Sequence, residues 1–480
     1  MLLVLDGSGE LYRQLGRALR TAMAEGRLAA GSRLPSTREL ALQLGLSRNT
    51  VLAAYELLRA ERMIEARTGR GSFVAAAPAR RGAPPAPVEP LPAPSMRAAR
   101  QRALPPLPLP WRQPGVRIDL QYGEPLTHVA VFTAWSRCLA QAAAHLEPGY
   151  VQAQGRPELR AQIAAYLSRR RGLVCTAGDI VVVHGTQRAI SLLARVLVDP
   201  GQTVVVEEPG YALARQALFA HGAAVRALPV DAQGLVVERL AGVDARLILV
   251  TPSHQFPLGV AMSLERRRAL LRHAHEHAAL IVEDDYDGEF GIGAGALPTL
   301  SALDGQGRTI HVGTFSKSLL PSLRLGYIVC PPGLRRDLVQ AKRLEDISCA
   351  ALEQQALARF MAGGGFERHL RRTALELRRR RSALVEGLRG LGERVRVQDS
   401  GSGMHLLAWL PGLDASALAM LIDDARRCGL ALHPLSAHYE QPPAEQALLL
   451  GFACASAAQI REAVGILGAC LDRVGPHRAP

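Results

Sequence analysis

The stretch "GTFSKSLLPSLRLGY", residues 313–327, sets a single lysine, Lys317, among small hydroxyl residues and an arginine, Arg324, seven positions later. A lysine is a nucleophile only when it has lost its proton, and partial burial lowers its pKa enough to supply the free amine. Such an amine condenses reversibly with an aldehyde. Arg324 adds a planar guanidinium suited to a phosphate. An aldehyde that also carries a phosphate is therefore the ligand class this stretch addresses.

Pyridoxal 5'-phosphate has both groups. It also needs a carboxylate at its ring nitrogen, a cradle for its phosphate and a cover for its ring face. In "HGTQRAI", Gly185, Thr186 and Gln187 stand at a strand-to-helix junction, where free amides and the helix dipole favour a phosphate. "VEDDYDGEF" ends a strand with Glu283, Asp284, Asp285 and Tyr286. A carboxylate there can pair with a protonated pyridine nitrogen, and a tyrosine hydroxyl can reach the ring oxygen. "EEPGY" supplies Tyr211 as a ring to stack on the cofactor. "TPSHQFPLG", residues 251–259, makes a turn that can line the same pocket. Each piece alone has a plainer reading: a solvated Lys–Arg pair, a helix cap, an acidic cluster, a core tyrosine. Their joint order along one unit is what carries the assignment.

The elements that must position these groups alternate. Short apolar runs at Ile180–Val183, Val204–Glu207, Arg246–Val250, Leu280–Glu283 and Thr309–Val312 each lie near a turn or helical spacing. That rhythm predicts an α/β sheet covered on both faces. From about Gly365 a long Arg-rich helix and short strands predict a smaller α+β unit. Residues 76–116 hold a dozen prolines, too few apolar groups to order themselves, and read as a linker. The predicted organisation is residues 1–75, a linker over 76–116, and a large unit over 117–480.

The amino-terminal unit has its own signals. Ser36 followed by Glu39 is a capping box that starts a helix. Gly45 and Leu46 turn the chain, and Ser47 can cap a second helix whose Val51, Tyr55 and Leu58 face inward. Ser47, Arg48, Asn49 and Thr50 are left at the exposed end of that helix. In a helix-turn-helix this end enters the major groove of DNA. "ARTGRGSFV" then makes a glycine turn carrying Arg67 and Arg70, a wing over the DNA backbone.

Composition bounds the rest. A net charge of +14 suits a polyanionic partner, and 48% hydrophobic with 21% charged residues fits a folded chain. Seven dispersed cysteines without a CxxC pair point to reduced thiols in the cytoplasm and to no zinc site or disulfide frame. There is no apolar run of membrane-spanning length, so no membrane partner is expected, and the first residues lack the basic region of a secretion signal.

"LPSTRELA", "LGLSRNTV" and "GRGSFV", in that order, resemble the GntR-type winged helix. The resemblance implies Arg38, Ser47, Arg48, Asn49 and the wing turn with Arg70 as contacts to a double-stranded operator. Leu52 departs from the arginine that many such regulators carry there, so base preference does not transfer. Residues 118–470 resemble fold-type I aminotransferases, and the whole chain resembles the MocR family of transcriptional regulators. That likeness implies a bond between Lys317 and the cofactor aldehyde, and Asp284 rather than Asp285 at the pyridine nitrogen. It further implies Tyr286 at the phenolic oxygen, Tyr211 over the ring, and Arg324 with Thr186, Thr314 and Ser316 around the phosphate. A homodimer with pockets at its interface is implied as well.

Two departures stand out. The late arginine that clamps a substrate carboxylate is missing from "EQALLLGFACAS", and the asparagine of the usual Asn-Pro-Thr-Gly turn is missing from "HQFPLG". The favoured expectation is thus a regulator that senses a B6 vitamer or an amino compound, with weak or no transaminase turnover. An aminotransferase with an accessory DNA-binding head is the alternative. A DNA-binding protein whose large unit only dimerises is a third.

Overall fold

The computed structural model describes residues 3–67, 70–75, 93–107, 113, 115–126, 129–146, 148–290 and 297–474. The chain divides into two compact units, Met1–Ala93 and Pro94–Pro480.

The first unit runs α1 (Leu11–Ala24), α2 (Thr37–Leu44), α3 (Arg48–Ala60) and an antiparallel hairpin of β1 (Ile64–Arg67) and β2 (Gly71–Val74). Its helix ends are written in side chains. The Ser36 hydroxyl accepts the Glu39 N–H at 3.2 Å while the Glu39 carboxylate accepts the Ser36 N–H at 2.8 Å, closing the capping box. Gly45, at φ 66°, takes the left-handed conformation that stops α2. Ser47 then caps α3 through the Thr50 N–H at 3.1 Å. Leu15, Leu19, Leu40, Val51, Tyr55, Leu58 and Ile64 close the core. Each large aliphatic side chain so buried contributes roughly 1.5–3 kcal/mol.

The second unit opens with α4 (Met96–Arg102), capped by Ser95. This differs from the expected linker. The prolines stop at Pro94 and resume at Pro105, and the run between them is made of helix-favouring residues. Residues 76–92 of that linker lie outside the described residues.

Further along come β3 (Ile118–Asp119), α5 (Val129–Ala144) and α6 (Pro157–Arg171), followed by β4 (Ile180–Val183), α7 (Thr186–Leu197), β5 (Thr203–Glu208) and α8 (Ala212–His221). Next are β6 (Ala224–Asp231), β7 (Gly234–Leu235), β8 (Ala245–Val250), α9 (Leu264–Glu276), β9 (Leu280–Asp285), β10 (Thr309–Thr314) and β11 (Gly326–Val329). They form an eight-stranded sheet in the order β4-β11-β10-β9-β8-β5-β6-β7. Strands β6, β5, β8, β9 and β10 are parallel, and β11 runs against both its neighbours. These strands read as unbroken apolar runs because helices cover both faces. Val181, Val206, Leu249 and Val282 pack with Ile190 and Leu193 of α7 on one face, and Val205, Ile248 and Ile281 pack with Leu270 of α9 on the other. Strands β5, β8, β9 and β10 all end at one edge of the sheet, where an open α/β sheet builds its ligand site.

A separate three-stranded sheet joins β12 (Arg396–Gln398), β13 (His405–Trp409) and the last strand, while the short pair β14 (Leu430–Ala431) and β3 stands apart. That last strand is β15 (Ala447–Gly451), paired with β13. Helices Gly365–Arg389 and Ala457–Val474 accompany it, the first burying Phe366, Leu370, Leu377, Leu384 and Leu388. The fold is thus a winged helix-turn-helix plus an α/β aminotransferase-like unit with a smaller α+β part. Among the described residues, no helix is long and apolar enough to cross a membrane.

Candidate functional site

Lys317 sits in a single helical turn, Phe315–Ser318, directly after β10. Its amine donates to the carbonyl of Gly123. Burial lowers its pKa, while the Asp287, Glu124 and Asp284 carboxylates pull the other way. Arg324 follows the 3-10 turn Pro321–Leu323 with φ at 50°, a left-handed conformation rare for a residue with a side chain. Its guanidinium lies beside Gly185, where a Cβ would meet it at 3.8 Å.

The groups around this cation are short of partners. The hydroxyls of Thr186 and Ser316 are buried and bond nothing. The first amides of α7, at Thr186 and Gln187, have no carbonyl within the helix to bond. A cation, two unpaired hydroxyls and a helix amino terminus at a glycine make an anion cradle. Two side chains beside the cradle already have partners of their own. The Gln187 amide nitrogen donates one N–H to the Leu213 carbonyl at 3.1 Å, and its Oε1 is left without a partner. The Thr314 hydroxyl accepts the Ser316 N–H at 3.1 Å and caps the lysine's own turn.

At the end of β9 successive side chains face opposite ways. Glu283 accepts from the Leu300 and Ser301 amides and bonds His311; although burial opposes it, these partners bring its pKa down to about 2. Asp285 is held by both arms of Arg171 at 2.7 Å. Asp284 faces the other side, and its Oδ1 is buried without a partner. Burial first, then the neighbouring Asp285, Asp287 and Glu207 charges, push its pKa up to about 8. An unpaired acid in that position is waiting for a cation.

Tyr211, at the cap of α8, has its hydroxyl pKa raised by burial and then by the Asp284 charge, with Arg324 opposing. Its hydroxyl is thus within electrostatic reach of both the acid and the guanidinium. Tyr286 places its hydroxyl 3.0 Å from His254 Nδ1, and that nitrogen is 2.9 Å from Asp287. Phe256, standing where the sequence lacks its asparagine, is the hub of a ring cluster with Tyr122, Tyr211, Tyr286, His405 and His438 at 4.8–6.1 Å. Strand β15 is fully buried, and Leu449 packs with Leu407 in an apolar cluster that includes Phe256. Gly123, His254 and Asp287 went unread in the sequence as individual site residues, although the last two lie inside motifs already singled out. His254, Asp287 and His405 bring one potential metal ligand each within 4.8 Å of one another. Their nitrogens and oxygens are already engaged: His254 by Asp287, Tyr286 and Ser400, and His405 by the Pro257 carbonyl at 3.1 Å.

In the first unit, Arg38, Ser47, Arg48, Asn49 and Arg70 are all exposed, and Thr50 is half-buried. The Ser47 and Thr50 hydroxyls bond each other at 2.8 Å within the cap, so Arg48 and Asn49 project from the helix end with side chains not spent on capping. Arg67, across the hairpin, lies over the Phe73 ring at 4.6 Å.

Residues 117–467 match the family "Aminotransferase class I and II", and residues 11–74 match "Bacterial regulatory proteins, gntR family". The chain is 37% identical to the probable rhizopine catabolism regulatory protein MocR of Rhizobium meliloti, over 97% of this chain and 95% of that one. The chain belongs to the MocR family. A second MocR-type relative, the pyridoxine biosynthesis transcriptional regulator PdxR of Corynebacterium glutamicum, is 32% identical over 92% of this chain and 91% of its own length. Among solved structures, an archaeal alanine:glyoxylate aminotransferase superposes with a TM-score of 0.69 at 28% identity, covering 75% of this chain and 92% of that one. The kynurenine aminotransferase of Pyrococcus horikoshii gives 0.68 at 29% identity, covering 74% and 91%. As a MocR-type chain it is a transcriptional regulator whose GntR-type unit binds DNA and whose large unit has the fold of pyridoxal-phosphate enzymes.

Proposed function

We propose that this regulator holds pyridoxal 5'-phosphate at Lys317 and reads a small molecule there, either a B6 vitamer or an amino compound. One observation carries the reading. Around Lys317 and Arg324, the Thr186 and Ser316 hydroxyls and the Asp284 carboxylate are buried with atoms that bond nothing. Leaving such a group unpaired costs about 1–3 kcal/mol each, so an unfilled set of this kind marks a ligand's footprint.

The residues present fit the cofactor. Arg324, Thr186, Ser316 and the amides of α7 would hold its phosphate; Asp284 would hold its ring nitrogen; Tyr211 would cover its face; Tyr286 would meet its phenolic oxygen. When bound, the group supplies an aldehyde to which the desolvated Lys317 amine bonds reversibly. An amino compound in the same pocket would compete with the Lys317 amine for that aldehyde. Ligands with different affinity for two arrangements of the large unit shift the balance between them.

A route toward the linker lies in the same helices. The helix α7 starts at the phosphate cradle and α8 starts at Tyr211. Farther along, Ser191 in the middle of α7 bonds His221, the last residue of α8, at 2.8 Å, and Arg97 of α4 bonds the same imidazole at 3.2 Å. Gln216 of α8 donates to the Pro105 carbonyl at 2.8 Å. The segment that leads from the linker is thus fastened to α8, which is itself bonded to α7.

A homodimer is supported by large apolar side chains left on the surface: Phe132 on α5 at 49% exposure, and Tyr150 at 88% just beyond it. Seven cysteines, none of them in a disulfide, suit a cytoplasmic setting. The enzymes among the structural neighbours suggest transamination as a second reading. Strand β15, with no cationic side chain where a substrate carboxylate would be clamped, speaks against efficient turnover.

The test is direct. Borohydride reduction of the purified protein, then peptide mapping, is expected to find a pyridoxyl adduct on Lys317 and none in Lys317→Ala. A wild-type protein with no adduct on that peptide sinks the reading.

A further inference from the structure

Tyr286 is useful at a ring oxygen only if its proton points into the pocket. The inference below rests on the reading of Tyr286 given above. His254 Nδ1 is 2.9 Å from Asp287 Oδ2 and 3.0 Å from the Tyr286 hydroxyl oxygen. A carboxylate accepts hydrogen bonds and does not donate them. The proton between His254 and Asp287 therefore belongs to Nδ1. The Tyr286 oxygen, on the same nitrogen, accepts a share of that N–H, and its own O–H is released to donate elsewhere. With Nδ1 protonated on a neutral ring, Nε2 is an acceptor, and the Ser400 hydroxyl stands 3.2 Å from it. One tautomer satisfies all three contacts.

The surroundings are cut to fit this imidazole. His254 and Asp287 are 3% and 2% exposed, which leaves no water to compete. A Cβ on Gly403, where φ is +72°, would come within 2.5 Å of His254 Nδ1 and 2.8 Å of Asp287 Oδ2. A Cβ on Gly259, at φ +75°, would sit 3.2 Å from both His254 Nε2 and Ser400 Oγ. His405 lies 4.9 Å away, and burial drives its pKa well below the ordinary range, so it brings no positive charge beside this imidazole.

We propose that His254 and Asp287 are positioning residues that turn the Tyr286 hydroxyl into a hydrogen-bond donor toward the cofactor's phenolic oxygen, with Ser400 fixing the imidazole tautomer. Ser400 belongs to the loop between β12 and β13, so the donor state of Tyr286 depends on that loop staying docked. Asp287→Asn removes the pure acceptor and lets Nδ1 lose its proton; the tyrosine then donates to His254 and turns away from the cofactor.

The experiment is a double-mutant cycle on the full chain loaded with pyridoxal 5'-phosphate, reading visible absorbance and the dissociation constant. Tyr286→Phe, His254→Leu and Asp287→Asn are each expected to shift the cofactor band the same way and weaken affinity about ten-fold, the worth of one good hydrogen bond. The pair His254→Leu with Tyr286→Phe should be no worse than either alone. His254→Asn, whose amide N–H can stand in for Nδ1, should recover most of the affinity. Effects that multiply in the double variant, with a normal Lys317 adduct, overturn this inference and leave the sensor reading intact. If His254→Leu does not fold, Asp287→Asn with Tyr286→Phe decides in the same way. A wild-type chain with no adduct overturns both.

Discussion

Lys317 donates its amine to the carbonyl of Gly123, a residue 194 positions earlier in the chain. Gly123 adopts φ +75°, and a Cβ added there would stand 2.8 Å from the lysine nitrogen. The lysine's resting place is therefore set by a glycine whose left-handed backbone disfavours a side chain. Gly123→Ala combines that clash with left-handed strain of roughly 1–2 kcal/mol. Pyridoxyl incorporation at Lys317 is expected to fall at least about ten-fold, one decade per 1.4 kcal/mol. Operator binding by the same variant, measured by gel shift without effector, should persist.

Asp284 makes the cofactor-free protein sensitive to alkali. Its folded pKa, about 8, stands well above its ordinary value of 3.8. A group raised in this way keeps the protonated form that folding prefers below the lower value. That stability is lost as pH climbs through the higher one. The unfolding midpoint of cofactor-free protein should thus drop between pH 5 and pH 8.5. Asp284→Asn should flatten part of the slope, worth at most roughly 4 kcal/mol between pH 5 and pH 8 at about 1.4 kcal/mol per unit. Glu207 and Glu289, raised by burial to about 7 and about 8, supply the remainder.

Arg324→Lys keeps a charge but loses the fork that matches a phosphate. Affinity for pyridoxal 5'-phosphate, followed by absorbance titration, should fall about ten-fold or more. Affinity for pyridoxal without its phosphate should hardly move. Equal losses for both would place the guanidinium somewhere other than at the phosphate.

Arg48 and Ser47 adjoin in sequence and should fail differently. Arg48→Ala is expected to cost about 1–3 kcal/mol of operator affinity and, if it meets a phosphate, to reduce the salt slope by about one. Ser47→Ala removes the cap on α3, so it should lower the stability of the first unit by about 1 kcal/mol, seen as a lower melting point. Parallel gel shifts and thermal melts separate the two.

Arg97→Ala with Gln216→Ala unfastens α4 from α8. Cofactor affinity is expected to stay within about two-fold, since neither residue touches the pocket. The change in operator affinity on adding effector should shrink. An unchanged response would show that the signal leaves the pocket by another road.

Much of this molecule was legible as text. The capping box of Ser36 and Glu39, the Ser47 cap and the run Ile180–Val183 are short-range chemistry, decided within a few residues and readable in order. So was the alternation at Glu283, Asp284 and Asp285, because a strand's pleat follows from its backbone. Gln187 was legible as a neighbour of the cradle but not as a side chain turned toward Leu213, since that depends on a helix 26 positions away. The helix at Met96–Arg102 was hidden by its proline-rich flanks.

The order of chemical types along the chain determined what kind of ligand and partner this protein is built for: an amine, an acid, a guanidinium and a capped recognition helix. Tertiary structure alone decided which atoms stay unsatisfied. Asp284 is left bare because Arg171 takes its neighbour, Lys317 is steered by a glycine carbonyl, and Tyr286 is governed by an imidazole that a distant serine holds in register. Hydrogen bonding saturates, so whether a polar group is free for a ligand depends on every other group that folding brings within 3 Å, and spacing in sequence does not encode that sum.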